Sequence, residues 1–304
     1  MFDLTNPIYS DANKAREHLE GLHWPNGPVC PHCGSANVVK LAGKSTRPGV
    51  HKCKSKECRK QFTVTVGTIF ERSHICLRHW VIAFHLMCSS KKGFSAHQLH
   101  RSLGVTYKTA WFMCHRIRHA IANGPFPDKL KGTVEADETY VGGKPRFKGS
   151  LTEAGRKTTG RGTKKTPVVA LVARDGTVRT VVMPKLTAKN LRDHIVGNVD
   201  KSATLMTDQL HLYRNIGREF AKHGRIMHSS GIYSLPNGVN TNTVESFFGL
   251  IKRGIYGNFH HVGKQHLQRY CDEFSFRWDR RKVKDSERRE AALRMVEGKR
   301  LTYR

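Results

Sequence analysis

Along this chain, apolar positions keep helical spacing through the first third, alternate at strand spacing through the middle, and return to helical spacing before the basic end. Residues 11–22 predict a helix, closed by a Pro-Asn-Gly-Pro turn at 25–28. Residues 77–90 predict an apolar helix carrying Trp80, Phe84 and Met87. The run FSAHQLHRSLGVTYKTAWFMCHRIRHAI, residues 94–121, has the register of a helix-turn-helix: Leu99 and Leu103 precede the turn at Gly104, and Val105, Ala110 and Met113 follow it. His100 stands where close helix approach usually needs a small residue. A plain three-helix packing module is the alternative reading of that segment.

After Asn123-Gly-Pro-Phe-Pro the texture changes. GTVEADETYVGGK, residues 132–144, predicts a strand carrying Asp137 and ended by two glycines. A basic loop rich in Gly and Thr, residues 144–165, is expected to order on phosphate. TPVVALVARDGTVRTVVM predicts a hairpin about Asp175-Gly176, residues 187–199 a helix, and SATLMTDQLHLY a buried strand ending at Asp208. In TNTVESFFGLIKRGIY, residues 241–256, a turn of about 100° per residue puts Asn242, Glu245, Gly249 and Lys252 on one arc. Val244, Phe247, Phe248, Ile251 and Ile255 fall on the adjacent arc. One face packs, and the other shows a carboxylate and an ammonium two turns apart; a solvated surface is the ordinary reading of such a pair.

Charge changes the picture. The 304 residues hold 53 Lys and Arg against 24 Asp and Glu, a net charge of +29, spread along the whole chain. Such an excess points to a polyanion, because each phosphate neutralised by a basic side chain releases a counterion. No apolar run approaches the roughly 20 residues of a spanning helix, and the N-terminus lacks a signal-peptide core. The expectations are a cytoplasmic, nucleoid-associated protein with DNA and no membrane as its partner. Lys108 and Arg116, with Arg118, give the second helix of the helix-turn-helix a basic character for DNA contact.

Of the eight cysteines, Cys30, Cys33, Cys53 and Cys58 form a C-x2-C, C-x4-C array, while Cys76, Cys88, Cys114 and Cys271 are scattered. Four thiolates at that spacing suit a closed tetrahedral Zn2+ site, and the segment is too short to hold a core without one. His32 and His51 sit beside ligands but are read as neighbours.

Asp137, Asp208 and Glu245 fall at the ends of two strands and on a helix. Phosphodiester chemistry uses such a cluster because two divalent ions roughly 3.5–4 Å apart polarise the attacking oxygen and neutralise the leaving one. Mg2+ prefers oxygen ligands. VEADETYVGGK, LMTDQLHLY and NTVESFFGLIKRGIYGNFHHVGKQHLQRYCDEFSFRWDRR resemble the DDE transposases of bacterial insertion sequences. More narrowly, they resemble the branch with an N-terminal zinc ribbon and a Lys seven residues after the catalytic Glu. Gly263 and Asp279 depart from that pattern, standing where a capping Ser and an Asn are common.

The resemblance implies an α/β fold: a ribonuclease-H-like mixed sheet with flanking helices, preceded by a zinc ribbon and a helix-turn-helix. It implies a zinc ribbon with its N-terminal helix over 1–72, the helix-turn-helix over 73–123, the catalytic domain over 124–281 and a basic helix over 282–304. Asp137 would bridge two Mg2+ ions, with Mn2+ a possible substitute, and Asp208 and Glu245 would complete one site each. Lys252 and Arg253 would hold DNA at the element end. Water would cleave the strand there, and the freed 3′-OH would be directed at target DNA. Terminal inverted repeats, target DNA and further copies of the chain are the implied partners. Two alternatives stay open: a DNA-binding regulator with an idle catalytic domain, and a nuclease of the same fold. The tail beyond 279 is expected to be a helix for DNA or subunit contact, or a solvated one.

Overall fold

The computed structural model describes residues 5–122, 128–143, 165–227, 234–235 and 238–302. The expected basic loop, apart from Lys165, and the boundary beginning at Asn123 lie outside the described residues. The chain divides into two compact units, Met1–Ala122 with Lys282–Arg304, and Asn123–Arg281.

In the first unit, α1 (Ala12–His23) starts where the Asp11 carboxylate accepts the N–H groups of Asn13 and Lys14 at 2.7 and 3.3 Å. The ribbon follows as a three-stranded antiparallel sheet of β1 (Val38–Lys40), β2 (His51–Cys53) and β3 (Gln61–Phe62). The apolar helix is α2 (Leu77–Ser89), which buries Trp80, Val81, Phe84 and Met87. The helix-turn-helix forms as α3 (Ala96–Leu103) and α4 (Tyr107–Ile121), with Gly104 between them at φ 66°. Leu99, Ala110 and Met113 are buried. His100 does not obstruct the turn: its ring bonds across it to the carbonyl of Val105.

The basic tail packs part of its length inward and leaves Lys282, Lys284, Arg294 and Arg300 exposed. It forms α9 (Asp285–Arg294), whose Ala292 and Leu293 are fully buried. Arg288 donates to the Cys88 carbonyl at 2.9 Å, Arg294 to that of Leu22 at 3.0 Å, and Arg289 to the Tyr9 hydroxyl. Lys299 reaches the carbonyls of Ala120 and Ala122, the latter at 2.8 Å, and so caps the C-terminus of α4. These cations satisfy helix-end carbonyls that water would otherwise have to serve.

The second unit is a five-stranded sheet in the order β6-β5-β4-β7-β8, made of β4 (Thr133–Val141), β5 (Thr166–Ala173), β6 (Val178–Val182), β7 (Thr204–Thr207) and β8 (Lys222–Arg225). β4, β5 and β6 pair antiparallel; β4, β7 and β8 pair parallel. This is the ribonuclease-H-like mixed sheet that the resemblance implied. Helices α5 (Ala188–Asn198) and α6 (His211–Gly217) lie on one face, over Val134, Ala136, Val169 and Leu171. Helices α7 (Asn242–Gly254) and α8 (Leu267–Asp279) cover the other, over Val168, Ala170 and Val172. The sheet is buried on both sides, so β5 reads as an almost unbroken apolar run.

Two details follow from sequence departures. Gly263 offers no capping side chain, and the chain makes a 3-10 turn at Lys264–His266 before α8 begins. Asp279 accepts the N–H of Val178 at 2.9 Å, and Gln268 accepts that of Val182 at 2.8 Å while donating to the Thr180 carbonyl at 3.2 Å. Side chains of α8 thereby occupy the outer edge of β6, which would otherwise be open to another strand.

Candidate active site

The central strand β4 sorts its side chains by parity. Glu135 and Asp137 share the face packed by α7 and α8, and Glu138 points to the face packed by α5 and α6. Ala136 lies opposite Thr207 in the parallel pairing of β4 with β7, so Asp137 and Asp208 come abreast at the C-terminal ends of neighbouring strands. Asp208 follows β7 directly, and its carboxylate accepts the Leu210 N–H at 2.9 Å, turning the chain into α6. On α7, Val244, Phe247, Phe248 and Ile251 are buried against the sheet and leave Glu245 and Lys252 exposed on the adjacent arc. Glu245 accepts a hydrogen bond from the Thr241 hydroxyl at 3.0 Å.

The three acids are near enough for the charges of two to act on the third. Burial pushes the Asp137 carboxyl well above the usual carboxylate range, and the charges of Glu138, Asp208 and Glu245 push it further, against the Glu138 N–H that it accepts at 2.8 Å. Like charges gathered at a half-buried carboxyl mark a place short of positive charge. The carboxylate oxygens are not packed as tightly as the thiols: among the described residues, only the four cysteines form a group of three or more ligand atoms all within 4.8 Å.

Sequence reasoning gave no role to two acids that the strand brings in. Glu138 accepts a hydrogen bond from Tyr213 at 2.9 Å, and burial beside Glu138, Asp137 and Asp208 raises that phenol well above its ordinary value. Glu135 is fully buried and bonded to the first turn of α7. Period-two alternation from Asp137 was the signal available for Glu135; nothing local pointed to its partners.

The expected DNA contacts divide. Lys252 and Arg253 are exposed in the last turn of α7, and Lys108 is exposed in the first turn of α4. Arg116 departs from the expectation. It is 8% exposed, donates to the Ile69 carbonyl at 2.8 Å and lies over the Phe112 ring, so its charge is used inside the unit. It sits two turns further along α4 than Lys108, on the arc that packs.

The four ribbon cysteines come together as their spacing required. Cys30 and Cys58 lie 3.7 Å apart and Cys33 and Cys53 3.6 Å, all four sulfurs falling within 4.8 Å of one another. Zn–S bonds of about 2.3 Å in a tetrahedron separate sulfurs by about 3.8 Å, so the set fits zinc. Burial alone would raise the Cys30 thiol, but the N–H groups of His32 and Cys33 and the neighbouring sulfurs hold it down to about 7, which favours the thiolate. The two knuckles match. Cys30 N–H bonds the Ser35 carbonyl and Cys53 N–H that of Lys60, each two residues past the second ligand. Gly34 at φ 74° and Arg59 at φ 48° make the corresponding left-handed turns.

Comparison with known proteins identifies the chain as a transposase of the insertion-sequence kind. The family description "ISXO2-like transposase domain" matches residues 129–279, and "Transposase zinc-ribbon domain" matches residues 10–61. An uncharacterized protein in transposable element ISH50 of Halobacterium salinarum is 30% identical over 273 residues, covering 87% of this chain and 90% of that protein. The chain belongs to the ISXO2-like transposase family and is a DNA-processing enzyme. Among the described residues, no helix is long and apolar enough to cross a membrane.

Proposed function

We propose that this transposase cleaves DNA at the ends of its element and joins the freed 3′-OH to target DNA, with Asp137, Asp208 and Glu245 as the reaction centre. The observation that carries the reading is the strand register that sets Asp137 and Asp208 side by side past the paired ends of β4 and β7, with Glu245 on the helix that packs the same sheet face as Asp137. Asp137, between its partners on β4, would be shared by two Mg2+ or Mn2+ ions, with Asp208 and Glu245 each completing one site. Ions held there would polarise the scissile phosphodiester and favour ionisation of the attacking hydroxyl. The residues of the chain do the rest.

Lys252, seven residues along α7 from Glu245, stands about 10 Å away along the helix axis and would hold a phosphate beside the scissile one, with Arg253. The domain reading assigns the ribbon and its helix to 1–72, the helix-turn-helix to 73–123 with Lys108 toward DNA, the reaction to 124–281, and the closing helix to 282–304. A homo-oligomer handling two ends together, in the cytoplasm with the nucleoid, completes the reading.

The test is to incubate the protein with a pre-cleaved element end, target plasmid and Mg2+. Joined product is expected, and Asp137→Ala, Asp208→Ala and Glu245→Ala should each abolish it while retaining the gel shift on the end. Cutting without joining would make the chain a nuclease of this fold. Binding with neither would leave a DNA-binding regulator.

A further inference from the structure

We infer that Glu135 and Arg174 are positioning residues that set the separation of Glu245 from Asp137, by clamping the first turn of α7 to β4. The inference rests on the three acids being the reaction centre. Glu135 is 0% exposed and fully bonded. One carboxylate oxygen accepts the N–H groups of Thr243 and Val244 at 2.8 and 3.0 Å; the other accepts the Thr243 hydroxyl at 2.9 Å and Arg174 Nε at 3.1 Å. An ionised carboxylate has about four acceptor sites, and here all four are used.

The clamp does what a local cap does elsewhere. Thr241 occupies the N-cap position of α7 but directs its hydroxyl to Glu245 rather than to the helix amides. The first-turn amides are served instead by a strand residue 108 positions earlier, with the negative charge at the positive end of the helix. Arg174 extends the clamp on the other side. Its Nη2 donates to the carbonyls of Gly238 and Asn240 at 3.0 and 3.4 Å, on the segment entering α7, and its backbone N–H bonds Thr133 at the start of β4 at 3.0 Å. Glu135 lies two residues from Asp137 on the same strand face, and Val244 is next to Glu245. The clamp is thus within two residues of both acids and joins the elements that carry them. Partners that orient metal-binding groups typically change metal affinity or activity 10–100-fold when removed.

The experiment uses the full chain. Glu135→Gln keeps the shape but puts an NH2 where an acceptor is needed; Arg174→Ala breaks the clamp from its more exposed side; Glu135→Asp shortens it with the charge kept. Three quantities are measured: amide hydrogen exchange at Thr243 and Val244, Mn2+ binding to the DNA-free protein, and joining against Mg2+ concentration. The expected result for Glu135→Gln and Arg174→Ala is faster exchange at those two amides, Mn2+ affinity lowered about tenfold or more, and joining partly restored by raised Mg2+. Glu135→Asp should recover part of the affinity. Glu245→Ala should not be rescued by metal at any concentration. Folded Glu135→Gln and Arg174→Ala proteins with wild-type Mn2+ affinity would overturn the inference. Where neither variant folds, Thr243→Val removes a single hydroxyl, and its wild-type Mn2+ affinity would reduce the clamp to a structural tie. Wild-type joining by Asp137→Ala would instead remove the reaction centre itself, a separate outcome.

Discussion

The ribbon and the acid cluster gather ligands of the same sign by opposite means. In the ribbon, four sulfurs lie within 4.8 Å of one another because two short knuckles, each closed by its own backbone hydrogen bonds, present them in pairs. In the sheet, Asp137, Asp208 and Glu245 come from the ends of two strands and a helix and lie further apart, and the helix is tied to the central strand by the Glu135 carboxylate, which accepts N–H groups of its first turn. The thiols of the first site are bound up with the stability of a segment too small for a core of its own. The acids of the second sit on a sheet with two apolar faces, which folds despite them. A cation at the first would belong to the fold; at the second, on the proposed reading, it would belong to the chemistry.

The sharpest way to break that comparison is to withdraw metals. A strong zinc chelator should unfold the ribbon, since structural zinc contributes on the order of 10 kcal/mol in segments of this size, and leave the unfolding transition of the sheet unit unmoved. Hydrogen exchange resolved by segment reads both at once. A ribbon that stays protected, or a sheet that melts with it, would erase the distinction.

A smaller effect of opposite sign is expected at the acids. Asp137→Asn removes a carboxyl that burial and its neighbours oppose, so in metal-free buffer near neutral pH the sheet unit should gain about 1–3 kcal/mol while joining is lost. Denaturant unfolding checks the first half, and destabilisation would contradict it. Substituting Cys30 should do the reverse, lowering stability and zinc content together.

Asp279 supplies a pH-dependent case. Burial pushes its carboxyl up to about 7, despite the Val178 N–H and the nearby Arg280 and Arg281. The folded unit therefore keeps this proton to higher pH than the unfolded chain does. The associated stability is present below about pH 4 and is lost as pH rises through about 7. Asp279→Asn still accepts the Val178 N–H and should stabilise the unit at pH 8 by about 2 kcal/mol, allowing for solvent screening, with little effect at pH 4. Thermal melts at the two pH values decide it; equal effects at both would refute the assigned burial.

The least expected change is in the second knuckle. Arg59→Gly should stabilise the zinc-loaded ribbon by about 0.5–1 kcal/mol, because Arg59 holds a left-handed turn that Gly34 makes without strain. A melt showing loss instead would mean that the Arg59 side chain has a role of its own.

Much of the architecture was legible in the sequence where the signal is local. Gly104 between two helical periods, Asp175-Gly176 between two apolar strands and the cysteine spacing each specify a structure within a few residues. β8 was not legible: Lys-His-Gly-Arg has no strand character and pairs only because β7 offers it an edge. Nor was the fate of the basic tail, since an arginine reads the same whether it meets a phosphate or a carbonyl. Arg116, Arg288 and Arg294 all meet carbonyls.

The sequence by itself determined the zinc ligands, the helix carrying Glu245 and Lys252, and the mixed α/β order of elements, because spacing and periodicity are properties of neighbouring residues. Only the tertiary structure decided that Asp137 and Asp208 stand abreast, that Glu135 ties α7 to the central strand, and which arginines face inward. Those outcomes depend on strand register and on hydrogen bonds spanning about a hundred residues, and no local pattern encodes where such bonds end.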